Sequence, residues 1–195
     1  RKGVEPINKP EAGKILRWAS GHVIEGRIRV HLAKLYPDLV SNVRLTDEDM
    51  DITGEFDNYI EKYKTIIEVK SVHDWAMAKN KETKEVELRG CEPYLSHQIQ
   101  NHSYVQLLRN SGKPVEKIKY LYITLGGLMV AYETPVKEDL LKNVTARLET
   151  LNKAWATNTP PDCICKETHP LWKSTMQYCD YRGDNECCSL KLLTK

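Results

Sequence analysis

The segment Thr65-Ile66-Ile67-Glu68-Val69-Lys70-Ser71-Val72 constrains this chain more than any other. Its β-branched, nearly continuous apolar run reads as a buried strand. Yet it carries a carboxylate and an ammonium. Glu68 and Lys70 are two residues apart, so a strand points both to one face. A few residues earlier, Ile52–Ile60 alternates as a second strand and carries Gly54-Glu55-Phe56-Asp57. Burying such charges is costly unless they pair with each other or hold a metal. The plainer reading is an ion pair on a solvated face, with Asp57 in a turn. Against it, Ile66, Ile67, Val69 and Val72 mark a buried strand, and Asn58-Tyr59-Ile60 carry the earlier strand past Asp57.

If the two strands are neighbours, Asp57 and Glu68 reach one divalent cation. Carboxylate oxygens suit hard Mg²⁺ or Mn²⁺. Such an ion acidifies its water and stabilises charge on a phosphoryl oxygen. Lys70, beside it, either orients that water or screens the developing charge. Metal-assisted phosphodiester cleavage is therefore the leading expectation.

The rest of the chain frames this pair. Residues 10–36 read as a helix, with an apolar stripe of Leu16, Ala19, Val23, Ile24, Ile28, Val30 and Leu32. Tyr36-Pro37-Asp38 ends it. Residues 42–71 read as three strands, with a turn in 45–49. Residues 79–90 are polar and predict a mobile loop. A helix is expected from about Pro93 to Leu108, then a turn at 110–114. Ile118–Leu125 and Leu128–Tyr132 form a hairpin around Gly126-Gly127. Val136–Trp155 is a third helix. The expected fold class is α/β: a restriction-endonuclease-like core, a central mixed sheet flanked by helices, with a Cys-rich C-terminal cap. The 195 residues suit a single domain, its core at about 10–156 and its tail at 157–195.

In these motifs the chain resembles the PD-(D/E)XK nuclease superfamily, in its RecB-like exonuclease branch, which includes phage members and the nucleases of CRISPR adaptation. That branch carries an Asp after Gly-x-x on one strand and Glu-x-Lys on the next. Its first helix supplies a His, matched here by Gly21-His22-Val23-Ile24-Glu25. Its Gln-x-x-x-Tyr motif is matched by Gln100 and Tyr104, which share a helix face. The resemblance implies a metal shell of His22, Asp57, Glu68 and Val69. It implies a catalytic set of Asp57, Glu68, Lys70, Gln100 and Tyr104, with Glu25 behind. His97 and Gln98 are near alternatives to the helix pair, and a polar helix face explains them all. His22 alone is more often an ordinary helix histidine, and Glu25 a surface acid.

Five of the six cysteines, Cys163, Cys165, Cys179, Cys187 and Cys188, lie near the C-terminus. Clustering of this kind favours a local site in a reducing compartment over a disulfide framework. The iron–sulfur members of the branch place one Cys before the first helix and three at the C-terminus. This chain departs from that spacing, and Met176 stands where a Cys-x-x-Cys ending at Cys179 would begin. A 4Fe-4S cluster, a structural Zn²⁺ and free thiols are all compatible with it.

The net charge of +2 gives no global field for nucleic acid, so DNA binding must use a local basic face. Lys79, Lys81, Lys84 and Arg89 after the active strand are candidate phosphate contacts, as are Arg17, Arg27 and Arg29 on the first helix. Trp75 and Tyr94 are candidates to stack on bases. No apolar run suits a membrane span and no signal peptide is visible. The chain begins at Arg1, so an upstream segment is allowed. The expected setting is the cytoplasm of a prokaryote or phage-infected host, with single-stranded or duplex DNA ends as partner and a second copy or a recombination protein beside it. Two alternatives stay open: a non-catalytic DNA-binding module, and an endonuclease on the same core.

Overall fold

A computed structural model describes residues 12–157. The cysteines Cys163, Cys165, Cys179, Cys187 and Cys188, and with them the cluster and zinc readings, lie outside the described residues. Helix α1 (Ala12–Leu35) stops just before Pro37, because the residue preceding a proline is pushed out of the helical region. Strands β1 (Leu39–Asp47), β2 (Ile52–Ile60) and β3 (Thr65–Val72) follow as an antiparallel meander. The first turn falls at 48–51, later than the sequence suggested. The Asp47 carboxylate accepts the Met50 N–H there, and Asp51 takes a left-handed φ of 45°.

Helix α2 (Leu95–Asn110) carries the chain across to β6 (Lys117–Thr124), which lies parallel to β3. Strand β7 (Met129–Pro135) returns antiparallel, and α3 (Glu138–Thr157) packs on α2. The sheet order is β1-β2-β3-β6-β7, a mixed sheet with helices against it. This is the α/β core expected from the sequence.

The core gathers Phe56, Tyr59, Ile66, Val105, Leu108, Ile118, Tyr120 and Tyr122, so α2 closes over the middle of the sheet. His102 ties the helices together. Its Nδ1 bonds the Gln98 carbonyl at 2.6 Å, while Nε2 accepts the Lys137 N–H at 3.1 Å. That pattern fixes a neutral tautomer protonated on Nδ1.

The segment 79–90 is not the mobile loop predicted. Strands β4 (Met77–Lys79) and β5 (Val86–Leu88) pair as a small hairpin. Asn80 Oδ1 accepts the N–H groups of Glu82 and Thr83, which closes the turn. Leu88 is fully buried and Met77 nearly so. Only three alternating apolar positions signal this element, too few to stand out from the surrounding charge.

Candidate active site

The β2–β3 ladder is short. It pairs Ile60 with Thr65, Tyr59 with Ile66 and Asn58 with Ile67, and then stops. The next residues along are Asp57 and Glu68. From there β2 stays paired with β1 and β3 with β6, so the sheet opens as a fork. At the mouth of the fork, Asp57 Oδ2 accepts the Val69 N–H at 2.9 Å. A side chain thus replaces the missing backbone bond. The N–H and C=O of one strand residue leave the same edge, so the Val69 carbonyl also faces the fork.

Glu68 is 1% exposed, and its Oε1 takes the Lys70 ammonium at 2.6 Å. Its Oε2 is buried with no hydrogen-bond partner among the described residues. Burial first, and then the Asp57 carboxylate, push the Glu68 carboxyl up to about 7, against the pull of Lys70. Burial likewise raises Asp57, opposed by the Val69 amide and Lys70 and aided by the Glu25 carboxylate. For Lys70, burial works against the charge. Glu68, by charge and hydrogen bond, and then Asp57 outweigh it and hold the ammonium above its ordinary pKa. Two carboxylates and one ammonium leave a net negative, half-dry pocket, which is a place for a cation.

The residues present fit a hard divalent ion. Asp57, the orphaned Glu68 oxygen and the Val69 carbonyl are all oxygen donors. His22 faces solvent beside Glu25. Its side chain is 81% exposed and its Nδ1 lies 3.3 Å from Glu25 Oε2. Among the described residues no group of three or more His, Cys, Asp or Glu side chains is arranged to hold a metal. Glu25 therefore has a double position, bonded to His22 and close enough to bias both Asp57 and Glu68.

No family model and no curated protein sequence matches the chain. Solved structures do. A phage related exonuclease from Haemophilus somnus 129PT aligns with a TM-score of 0.53 at 14% identity, over 72% of this chain and 71% of that one. The likeness is one of fold, shared by the sheet and the helices against it. An alkaline exonuclease from Laribacter hongkongensis aligns with a TM-score of 0.47 at 11% identity, over 77% of each chain.

Helix α2 brings the expected pair Gln100 and Tyr104 together. Gln100 Nε2 donates to the Tyr104 hydroxyl at 2.7 Å. After burial, the Glu68 charge is the main influence raising Tyr104, which places the phenol beside the fork. Gly54 explains its own place in the motif. A Cβ there would stand 2.8 Å from Leu107 Cδ1 and 3.0 Å from the Tyr104 ring. The glycine lets α2 lie against β2. Gln98 is used by the fold, donating to the Pro93 carbonyl and accepting from the Lys137 ammonium.

The other expectations divide. Tyr94 is half-buried and packs edge-to-face with Tyr122 and His97. Trp75 is 69% exposed and stacks on His73. Lys79, Lys81, Lys84 and Arg89 are exposed on or beside the β4–β5 hairpin, and none forms an ion pair among the described residues.

Sequence reasoning missed the wall behind the fork. Glu68 registers with Tyr120 and Lys70 with Tyr122 on β6. The Tyr122 hydroxyl meets His97 Nδ1 at 2.9 Å. Burial and then the Lys70 charge push His97 down to about 4, so the imidazole is neutral. Tyr120-x-Tyr122 repeats the two-residue spacing of Glu68-x-Lys70, but only the register of β3 with β6 links the two pairs.

Proposed function

We propose that this chain is a DNA exonuclease dependent on Mg²⁺ or Mn²⁺, hydrolysing phosphodiester bonds at single-stranded or duplex ends in recombination, repair or phage DNA metabolism, in the cytoplasm. The observation that carries the reading is the fork, where Asp57 and Glu68 meet and Lys70 lies 2.6 Å from Glu68. Asp57, Glu68 and the Val69 carbonyl would hold the divalent ion, which would supply Lewis acidity to a phosphoryl oxygen and a lowered pKa for bound water. In the metal-free fork Glu68 and Asp57 raise the Lys70 ammonium, which suits Lys70 to a donor's role. It donates hydrogen bonds that orient the attacking water and screen charge on the phosphate. Tyr104 accepts the Gln100 amide, which leaves its own O–H free to donate to a phosphate oxygen. The water attacks phosphorus directly, with no covalent enzyme intermediate.

The test is cleavage of labelled linear and circular DNA with Mn²⁺, for the parent, Asp57→Ala and Lys70→Ala. Cleavage of linear DNA alone, lost by about 10³-fold in either variant, is expected. An inactive parent or a fully active variant overturns the reading. Cut circles would assign an endonuclease instead. A second reading, a DNA-binding module without catalysis, is favoured by the solvent-facing His22. It predicts equal DNA affinity with and without divalent metal, and no cleavage.

A further inference from the structure

Among the described residues three buried side-chain atoms lack a hydrogen-bond partner: Glu68 Oε2, Asn101 Oδ1 and the Tyr120 hydroxyl. Two of them belong to residues registered side by side. Glu68 on β3 faces Tyr120 on β6 within an unbroken ladder of eight parallel pairs. Registered residues on adjacent strands send their side chains to the same face, with strands about 4.8 Å apart. Both side chains are fully or almost fully buried, at 1% and 0% exposure. An ionised carboxylate only accepts, and a phenol is a donor. The two orphans are therefore complementary.

The neighbouring hydroxyls are already engaged. Tyr122 accepts the Tyr94 N–H and meets His97. Tyr132 accepts the Leu88 N–H, and Tyr104 accepts from Gln100. The Lys70 ammonium is bound to the other Glu68 oxygen, Oε1. Of these four tyrosines, Tyr120 alone has no hydrogen-bond partner for its hydroxyl among the described residues. Because a buried polar group left unpaired costs stability, native structures rarely keep two in adjacent positions.

We propose that Tyr120 is a positioning residue: its hydroxyl donates to Glu68 Oε2, directly or through one buried water, and fixes the carboxylate that faces the fork. An oxygen has two lone pairs, so Oε2 can take this bond and still offer one to a cation. The contact is argued from strand register, burial and the two unpartnered atoms. Its consequence for metal binding rests on the metal-dependent reading of the fork.

Tyr120→Phe removes one oxygen and keeps the ring, so the core stays filled. Thermal unfolding in EDTA tests the contact. Tyr120→Phe is expected to lower Tm by a few degrees in the parent and to leave or raise it in a Glu68→Leu background. A rise in the parent means that the hydroxyl is an orphan, and overturns the proposal. This arm decides even if Glu68→Leu does not fold. Calorimetric titration with Mn²⁺ tests the consequence. An affinity about tenfold weaker in Tyr120→Phe is expected, as for other groups that orient a metal ligand. Equal affinity overturns the positioning role. If the parent itself binds no Mn²⁺, the metal reading of the fork fails, and the unfolding arm alone judges the contact.

Discussion

The charge on Glu68 should be visible as a pH-dependent cost to the metal-free protein. Burial and the facing Asp57 raise this carboxyl from an ordinary 4.5 to about 7. A carboxyl whose folded pKa is raised contributes stability below its unfolded pKa and loses it as pH climbs through the folded value. The window is therefore pH 4.5 to 7, and the loss is about 3 kcal/mol. The parent's own profile hides it. Burial and the Lys70 charge depress His97 from 6.5 to about 4. A depressed histidine works in the opposite direction, because stability rises as pH climbs from 4 to 6.5, by a comparable amount. Glu68→Gln resembles the protonated carboxyl in shape and leaves His97 in place, so the difference between parent and variant isolates Glu68. Urea unfolding in EDTA, from pH 4.5 to 8.5, should show that difference swinging by about 3 kcal/mol in favour of the variant. Saturating Mn²⁺ at pH 8 should restore the parent and not the variant. A swing under about 1 kcal/mol would mean that Glu68 is not held in a dry, like-charged position, and the reasoning about the fork would fail.

Asp57→Asn keeps an oxygen for the Val69 N–H but removes the charge facing Glu68. The metal-free protein should be more stable at pH 8, the Mn²⁺-induced rise in Tm should vanish, and cleavage should fall by about 10³-fold; an unchanged Mn²⁺ shift counts against the ligand role. Gly54→Ala drives a methyl into the Tyr104 ring and Leu107, so it should cost about 1–3 kcal/mol and reduce cleavage without abolishing Mn²⁺ binding; a neutral outcome in both unfolding and cleavage would show that α2 does not depend on the close approach. Replacing Lys79, Lys81 and Lys84 together by Ala should weaken DNA binding and reduce the salt slope by about 2–3, read by fluorescence anisotropy across a salt series. An unaltered slope would move the DNA path away from the β4–β5 hairpin.

Much of this arrangement is legible in the chain, for a physical reason. Period-two alternation and β-branching expose β2 and β3, and charged residues inside such strands point to the candidate site. Gln100 and Tyr104 are legible because four residues make one helical turn, and their 2.7 Å bond follows from that spacing. His22 is harder to read, because rotation about the helix axis sets where a helical side chain points and no local pattern encodes that rotation; in the structure it faces solvent beside Glu25. The β4–β5 hairpin is hidden because its turn is built from Asn80 and lysines, which also make ordinary solvated loops. Tyr120 and Tyr122 are hidden for another reason. Their partners lie some fifty residues away, and only the parallel register of β3 with β6 brings them together.

The fork itself has a cause in the sequence. Continuing the β2–β3 ladder one more step would set the Asp57 and Glu68 carboxylates opposite each other, and like charges across a strand pair are destabilising. Asn42, across from Asp57 on β1, adopts a left-handed φ of 52° and interrupts that ladder at the same level. Asp57 is thus unpaired on both sides, and its carboxylate is free to turn in the plane of the sheet and take the Val69 N–H. Beyond that level Val69 gets its hydrogen bond from the Asp57 side chain, so the spacing of the two strands there depends on a side chain. A cation in the gap would relieve the repulsion that opens the ladder, so charge and geometry reinforce each other. The same reasoning ranks the residues: Asp57 both props the fork and offers an oxygen, Glu68 supplies the buried charge, and Lys70 keeps that charge tolerable in the metal-free protein.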